Sequence, residues 1–269
     1  YVAIALDNAK LYDDVKTYSE NLKEQIIINE SLVNLKNQLS KFVPRTVATL
    51  AESDPDQLSG EKVPMAVAVL FVDLYNFSKI TEQYDQPLVN HMVENHFSSY
   101  IRCIHQNGRE INETSGDCII VIFKSDSIED YARRAVQTGL EISRENQRLN
   151  REQTYPWGDV QLHIGVSSGE AYVGTTRMKS AVQDRWTYTA SGLVTVLASR
   201  IAGKSDRNRV FIGPQAHDQV KAYFECRSVG EHQLKNVSKK IPIFHVLREQ
   251  PVPEDSRDTD LECLESPSP

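Results

Sequence analysis

The sequence predicts an α+β fold, in which a mixed β-sheet is flanked by helices and preceded by a long coiled-coil helix. Short β-rich segments alternate with amphipathic helical segments, and hairpin patterns recur among them. The first 42 residues contain neither glycine nor proline, which is typical of one uninterrupted helix. The recurrent hairpins favour a mixed sheet over a purely parallel one.

Composition limits the classes of function. The 269 residues, 40% of them hydrophobic, suffice for one sizeable core and a further non-globular segment. The net charge of -7 disfavours non-specific binding to nucleic acid or to an anionic membrane. The four cysteines form no CxxC pair, which predicts free thiols, no zinc site and a reducing, cytoplasmic location. No apolar run approaches the ~20 residues of a transmembrane helix, and the start without Met suggests a piece of a longer protein.

Residues 1–42 contain two apolar seams with coiled-coil spacing. One is formed by Leu11, Val15, Tyr18 and Leu22, the other by Ile28, Leu32, Leu35, Leu39 and Phe42. The seams are one residue out of phase, an offset that locally changes the winding of a coiled coil. We favour a parallel dimeric stalk that transmits a signal, and the alternative is an amphipathic helix packed on its own domain.

The remaining elements follow in order. Pro44 ends the stalk, and residues 43–61 read as a short helix with a polar linker, before a globular domain over 62–248. Apolar, β-rich runs predict strands at 65–72, 110–112, 118–123, 160–167, 170–174, 210–212, 230–234 and 241–247. Amphipathic spacing predicts helices at 87–105, 128–149, 193–202 and 214–220. Residues 249–269, rich in Pro, Ser, Asp and Glu, are predicted to be a disordered acidic tail.

Two acidic residues stand at the ends of predicted strands. Asp73 ends the apolar strand of VAVLFVDLYNFSKIT (67–81), and Asp117 lies in the tight turn of INETSGDCIIVIF (111–123). Either acid alone is more often a turn or cap residue. Together on adjacent strands they would form a two-carboxylate site for Mg²⁺ or Mn²⁺, which binds metal together with substrate phosphates.

Five segments, in order across about residues 62–248, resemble class III adenylate and guanylate cyclases of bacterial type. The two acidic segments resemble the metal-binding segments of that family. LHIGVSSGEAYVGTT (162–176), YTASGLVTVLASRIAG (188–203) and FECRSVGEHQLKNVSKKIPIFHVL (224–247) resemble its strand-turn-strand, its following helix and its closing strands. VAIALDNAKLYDDV resembles the last helix of a GAF sensor domain, and FVPRTVATL resembles the transducing element before many bacterial cyclase domains.

The resemblance implies a ferredoxin-like sheet, a head-to-tail dimer with active sites at its interface, and two Mg²⁺ or Mn²⁺ ions per site. In the implied reaction the 3′-hydroxyl of a purine nucleoside triphosphate attacks the α-phosphate, and pyrophosphate leaves. The resemblance gives metal-binding positions at Asp73, Leu74 and Asp117, and nucleotide-binding positions at Asn76, Phe77, Ser78, Glu113 and Thr189. Arg200 matches the arginine that stabilises the transition state, with a solvated helix charge as its alternative.

Several family positions are substituted. Val196 stands where the family has a transition-state asparagine, and Val237 where it has a phosphate-binding lysine, for which Lys235, Lys239 or Lys240 are possible substitutes. Losing one preorganised hydrogen-bonding group costs on the order of 10²-fold in rate.

Three more family positions concern the entry to the helix predicted at 193–202, the turn after Asp73, and the choice of base. Gly192 and Leu193 replace a Gly-Asp pair, and Asn76 replaces a glycine whose backbone conformation asparagine tolerates well. Glu113 stands where adenylate cyclases have lysine and guanylate cyclases have glutamate, which favours guanine, although an exposed strand residue is the alternative.

Three functions remain open at this stage. The first is an active, sensor-regulated cyclase that makes a cyclic purine nucleotide for intracellular signalling. The second is a catalytically degenerate domain that binds nucleotide or metal and acts as a dimeric regulatory module. The third is a metal-donating subunit of a heterodimer with an intact cyclase subunit. The intact Asp73 and Asp117, set against Val196 and Val237, are the reason that all three stay open.

Overall fold

The structure, a computed structural model, describes residues 2–43, 45–54, 56, 58, 61–107, 111–124, 128–179 and 185–251. The chain divides into two compact units, residues 1–55 and 56–269. No helix in these described ranges combines the length and the apolar content needed to cross a bilayer. The predicted acidic tail lies, beyond Pro251, outside the described residues.

The first unit contains the helices α1 (Val2–Leu39) and α2 (Arg45–Ser53). The 38-residue α1 confirms the long N-terminal helix that the absence of glycine and proline predicts. An ion pair links the two helices, with Lys36 Nζ 2.6 Å from Glu52 Oε1. The seam side chains Leu32 and Leu35 are exposed in the single chain. The coiled coil itself therefore stays a prediction.

The second unit contains a β-sheet and its helices. In the described residues its strands are β1 (Val63–Leu74), β2 (Ile111–Ser115), β3 (Cys118–Phe123), β4 (Leu162–Met178), β5 (Arg185–Ser191), β6 (Val210–Ile212), β7 (Phe224–His232) and β8 (Ile241–Glu249). Its helices are α3 (Phe77–Gln83), α4 (Gln86–Gln106), α5 (Ile128–Glu152), α6 (Leu193–Ala202) and α7 (Pro214–Val220).

The eight strands form one mixed sheet. Seven follow the order β2-β3-β1-β4-β6-β8-β7, and β5 pairs with the outer part of β4. β4 and β6 are parallel, whereas the other pairs are antiparallel. This confirms the α+β fold with a mixed sheet and flanking helices. Alternating residues of β1 point to opposite faces, so Leu70 lies in the large core beside α4 and α5, and Val69 in a smaller core beside α6.

The strand boundaries differ from the prediction in the middle of β4. Two strands, 160–167 and 170–174, were expected, which leaves Ser168 and Gly169 as the turn between them. The structure instead has one 17-residue strand, because β1 pairs with it without interruption from Val63–Val173 to Leu74–Leu162. Ser168 tolerates this burial because its hydroxyl donates to Gln219 Oε1 at 2.6 Å.

Three further elements differ from the prediction. β5 was expected only as the approach to the following helix, but its RWTYTAS alternates and pairs with residues 172–178 of β4. β7 begins at Phe224, earlier than the predicted 230. The sequence did not indicate this start, because most residues of this edge strand are exposed and give no apolar alternation. The short α3 was not predicted, since seven residues give too little periodicity.

Gly165 is the point at which α6 packs directly on the sheet. A Cβ atom at this position would lie 2.3 Å from Ala202 N and 2.4 Å from Ala198 O. Both small residues face the strand from α6, so helix backbone meets strand backbone with no side chain between them. This contact sets the height of α6 above the sheet, and with it the position of the side chains on the exposed face of α6.

We expect Gly165→Ala to lower the free energy of unfolding by at least about 2 kcal/mol, because backbone atoms of α6 must move to accept the methyl group. Gly139→Ala is the matched control. Its Cβ would meet side-chain carbons at 3.4 Å or more, and alanine is the better helix former within α5, so its stability should stay the same or rise. Urea denaturation measures both. Equal unfolding free energies for the two variants would contradict the close packing of α6.

Candidate functional site

Asp73 is the penultimate residue of the central strand β1. Its backbone pairs with Cys118 of β3 on one side and His163 of β4 on the other. Residues opposite one another in antiparallel strands share a face, so these three side chains form a row across the sheet. The face is that of α6, because Val72 and Leu74 point into the opposite core.

Asp117 lies beside Asp73 through the turn between β2 and β3. Gly116 has φ +56°, a left-handed conformation that suits glycine in this tight turn. The Leu74 amide donates to the Asp117 carbonyl oxygen at 3.1 Å, which fixes the turn against the end of β1. Burial, and secondarily the charge of Asp117, raise the pKa of Asp73 from 3.8 to about 6. The sequence-based expectation that these two acids meet at one edge therefore matches the geometry.

The donor atoms at this edge suit a hard divalent cation. Carboxylate oxygens are the ligands that Mg²⁺ and Mn²⁺ prefer. A cation between the carboxylates would offset the burial and, secondarily, the charge of Asp117 that raise the pKa of Asp73. No group of three or more His, Cys, Asp or Glu side chains in the described part of the chain is arranged to hold a metal. The remaining ligands would have to be backbone carbonyls, water and phosphate oxygens, as is usual for Mg²⁺.

The turn after Asp73 has the shape needed to present backbone amides. Asn76 has φ 57° and ψ 25°, the left-handed conformation expected for the residue that replaces glycine here. It precedes α3, whose first two residues are Phe77 and Ser78. Phe77 packs against the large core, while Ser78 is exposed. The Tyr75 amide donates to the Gln161 carbonyl oxygen at 2.8 Å and holds this turn against the start of β4.

A buried hydrogen-bond network holds the start of β4, next to the Asp73 turn, against the helices α4 and α5. Asn146 of α5 accepts from the Tyr100 hydroxyl at 2.6 Å and donates to the Val160 carbonyl oxygen and to Asn208 Oδ1, both at 2.8 Å. Asn208 Oδ1 also accepts from the Leu162 amide at 2.9 Å. These bonds tie the start of β4 and the loop before β6 to the helix layer. Removing one partner would leave buried polar groups unsatisfied.

Thr189 lies far from Asp73 within one chain. It pairs with Gly174, eleven positions along β4 from His163, the partner of Asp73. At about 3.3 Å per residue this is roughly 35 Å along the strand. Thr189 therefore stands beside the opposite end of β1 from the carboxylates. One chain does not bring the predicted base-contacting residue to its own metal-binding residues.

Arg200 and Val196 lie one turn apart on α6. Val196 is 42% exposed, so the position that the family fills with asparagine is accessible. Arg200 is partly buried, and its Nε has no hydrogen-bond acceptor among the described residues. Nε is thus shielded from solvent, and the choice between the transition-state arginine and a solvated helix charge stays a prediction. An acceptor from outside the chain would satisfy Nε.

The other predicted positions give a mixed result. Val237 is partly buried and packs against a small core of Ile201, Phe211, Leu234 and Ile243. Lys235, Lys239 and Lys240 are all exposed and lie in the loop between β7 and β8, where strand alternation does not apply. Glu113 pairs through its backbone with Ile120, but its side chain lies outside the described part of the structure.

Sequence reasoning missed His163 and Tyr75. The His163 ring Nδ1 donates to the Ser205 carbonyl oxygen at 2.9 Å, and the ring meets that of Tyr75 edge-on, with centroids 5.1 Å apart. The Arg207 guanidinium carbon lies over the Tyr75 ring, 5.7 Å from its centroid. Strand register and the packing of the loop before β6 bring this group together, and the sequence does not show it because its members are far apart.

The chain is similar in sequence and in fold to known proteins. The family described as adenylate and guanylate cyclase catalytic domain matches residues 61–249. Adenylate cyclase 1 of Rhizobium meliloti (strain 1021) is 23% identical over 185 residues, which cover 67% of this chain and 27% of that protein. The chain thus spans about a quarter of the length of this relative.

Solved structures with a similar fold include adenylyl and guanylate cyclases. The adenylyl cyclase CyaB from P. aeruginosa superimposes with a TM-score of 0.63 at 20% identity, over 71% of this chain and 98% of that chain. A bacterial light-regulated adenylyl cyclase gives 0.69 at 21%, over 81% and 63%. The guanylate cyclase domain of RhGC from Catenaria anguillulae, solved in complex with GTP, gives 0.59 at 20%, over 71% and 100%. At these identities the likeness establishes the fold.

We expect the Asp73 carboxyl of the metal-free protein to titrate with a pKa of about 6, and Asp117→Asn to lower that pKa because a neighbouring negative charge is removed. Carboxyl-carbon NMR shifts against pH measure it. Since Asp73 holds its proton more tightly in the folded state, metal-free stability should fall as pH rises from 3.8 to about 6. The exposed Asp85→Asn is the control and should leave the titration unchanged. An identical Asp73 pKa in the parent and Asp117→Asn would contradict the proximity of the two acids.

Proposed function

The chain belongs to the adenylate and guanylate cyclase catalytic domain family, and on that premise we propose that it converts a purine nucleoside triphosphate to a 3′,5′-cyclic nucleotide and pyrophosphate. The observation that supports this most is the Asp73 and Asp117 pair at the end of β1. Burial and the nearby charge of Asp117 make the ionised Asp73 carboxylate unfavourable without a cation, and a bound cation would compensate for both. The pair has no evident role in packing, because it lies at the strand end and outside the cores.

In this proposal Asp73, Asp117 and the Leu74 carbonyl would hold two Mg²⁺ or Mn²⁺ ions. Such ions neutralise phosphate charge and lower the pKa of a hydroxyl that they bind. Asp73 must give up its proton before metal binds, so metal affinity should weaken as pH falls below about 6. The backbone amides of Phe77 and Ser78, at the free start of α3, would face the phosphates. Most of the catalytic effect is then positioning and charge stabilisation.

The proposed active unit is a dimer of two chains. Thr189 and Arg200 would act on the nucleotide held by the carboxylates of the partner. The separation of roughly 35 Å between Thr189 and Asp73 within one chain would then be no obstacle. The dimer would also supply an acceptor for the buried Arg200 Nε.

The exposed seam of α1 would hold the two chains parallel and pass on the state of a GAF-like sensor before it. Sedimentation equilibrium with and without residues 1–42 tests the stalk, and an unchanged dimer affinity would refute it.

Guanine is the favoured base in this proposal. A carboxylate at Glu113 can accept hydrogen bonds from N1–H and N2–H₂ of guanine, whereas adenine N1 is itself an acceptor. Thr189, with a hydroxyl that both donates and accepts, is compatible with either purine. GTP is therefore expected to be the better substrate.

A second candidate function rests on Val196 and Val237. The carboxylate half of the site is complete, whereas the complementary half has valine at an exposed position and at a packed one. A homodimer would pair one complete half with one depleted half in both sites. A heterodimer with a cyclase subunit that keeps the asparagine and lysine would complete one site. A regulatory module that binds nucleotide or metal without turnover is the limiting case.

The test of the proposal is incubation of the purified dimer with Mn²⁺ and each of the four nucleoside triphosphates, with cyclic products quantified by mass spectrometry. We expect cyclic GMP as the main product, its loss in Asp73→Ala, and a gain of about 10²-fold in Val196→Asn, which restores a hydrogen-bonding group. The exposed Asp85→Ala is the matched control and should retain the parent rate.

Absence of every cyclic product would refute the homodimeric enzyme. Product that appears only after mixing with a cyclase carrying intact asparagine and lysine, but mutated metal-binding acids, would establish the metal-donating role instead. Full activity in Asp73→Ala would refute the assignment of the carboxylates.

A further inference from the structure

We propose that a pocket beside the Asp73 turn binds a small aromatic monoanion. The pocket has a volume of about 350 Å³, within the range of small-molecule sites. Three segments that are distant in sequence form it, namely the β1–α3 turn with α3, the loop before β4, and the loop before β6. Its lining consists of Tyr75, Asn76, Lys79, Ile80, Gln83, Tyr84, Trp157, Asp159, Gln161 and Arg207.

The charges of the lining favour a single negative charge on the occupant. Lys79 and Arg207 contribute two positive charges, and Asp159 contributes one negative charge. None of these three forms an ion pair within the part of the chain that the structure describes. The net charge of +1 would be neutralised by a monoanion. A guanidinium matches the two oxygens of a carboxylate in a bidentate geometry, which favours a carboxylate over a spherical ion.

The rest of the lining favours a flat apolar body on that anion. Tyr75, Tyr84 and Trp157 present three aromatic rings, with Tyr84 edge-on to Trp157 at 4.9 Å between centroids. Trp157 is stacked on Tyr155 at 5.1 Å, which holds the indole in place. The Trp157 Nε1 is buried and has no acceptor among the described residues.

The pocket is separate from the carboxylate pair but touches its support. Neither Asp73 nor Asp117 lines it. Tyr75, however, follows Asp73 by two residues, carries Arg207 over its ring, and contacts His163, the strand partner of Asp73. An occupant would thus rest on the turn that holds the first carboxylate. Of the nucleotide-binding positions that the resemblance implies, Asn76 alone among the described residues lines the pocket, and the proposal does not depend on cyclase turnover.

The experiment uses Trp157 as the reporter and phenylacetate as the probe. The chain has two tryptophans, so Trp186→Phe leaves Trp157 as the single one. Phenylacetate is titrated into this otherwise intact protein without nucleotide, and Trp157 emission is recorded. Phenylacetamide, which lacks the charge, and acetate, which lacks the ring, are the matched ligand controls. We expect saturable binding of phenylacetate, at least about tenfold tighter than either control.

Variants of the lining decide the assignment. Arg207→Gln and Lys79→Gln should each weaken phenylacetate binding about tenfold, and Asp159→Asn should strengthen it, because an opposing charge is removed. Arg209→Gln is the matched control, since Arg209 pairs with Asp206 at 2.8 Å and does not line the pocket.

Three results would overturn the proposal. They are the absence of a saturable change in emission, equal affinity for phenylacetamide, and unchanged affinity in Arg207→Gln. Complete competitive displacement of phenylacetate by Mn²⁺ and GTP would make the pocket part of the nucleotide site and would equally contradict a separate one. Loss of cyclase activity leaves these readouts intact, so the two proposals fail independently.

Discussion

Asp73 and Asp117 lie side by side at the end of the central strand despite the repulsion between their charges. Burial and that repulsion raise the pKa of Asp73 to about 6, so ionising it at neutral pH works against the metal-free fold. The structure opposes this cost with twelve paired positions between β1 and β4 and with the bond from the Leu74 amide to the Asp117 carbonyl. An arrangement that is unfavourable alone and favourable around a cation is typical of a binding site rather than of a packed core.

The length of β4 determines how such a site can be completed. The strand carries the partner of Asp73 near one end and the partner of Thr189 near the other, so the two functional halves of one chain are kept apart. The contact of Gly165 with α6 fixes the second half rigidly, since helix and strand backbones touch there. Two rigid, separated halves suit a dimer in which each chain supplies what the other lacks. Because Val196 and Val237 replace polar groups in the second half, they determine whether a second copy of this chain or a different subunit completes the site.

The sequence predicts the fold class and most elements, because long periodic segments such as α5 and apolar runs such as β1 carry strong local signals. It fails where tertiary pairing overrides local composition, as at Ser168-Gly169, which continues a strand because β1 lies alongside. The carboxylate pair was predictable from the end of one apolar strand and the turn of a separate hairpin. His163, Tyr75 and Arg207 were not, since only strand register and loop packing bring them together.

The central claim is that Asp73 and Asp117 together bind the metal that binds nucleotide phosphates. Anomalous diffraction at the manganese edge, from crystals grown with Mn²⁺ and a non-cyclisable GTP analogue, tests it most directly. The account predicts anomalous peaks at metal–oxygen bonding distance, about 2.0–2.2 Å, from both carboxylates and from the nucleotide phosphates. Manganese bound to the nucleotide alone, or away from Asp73, would contradict it.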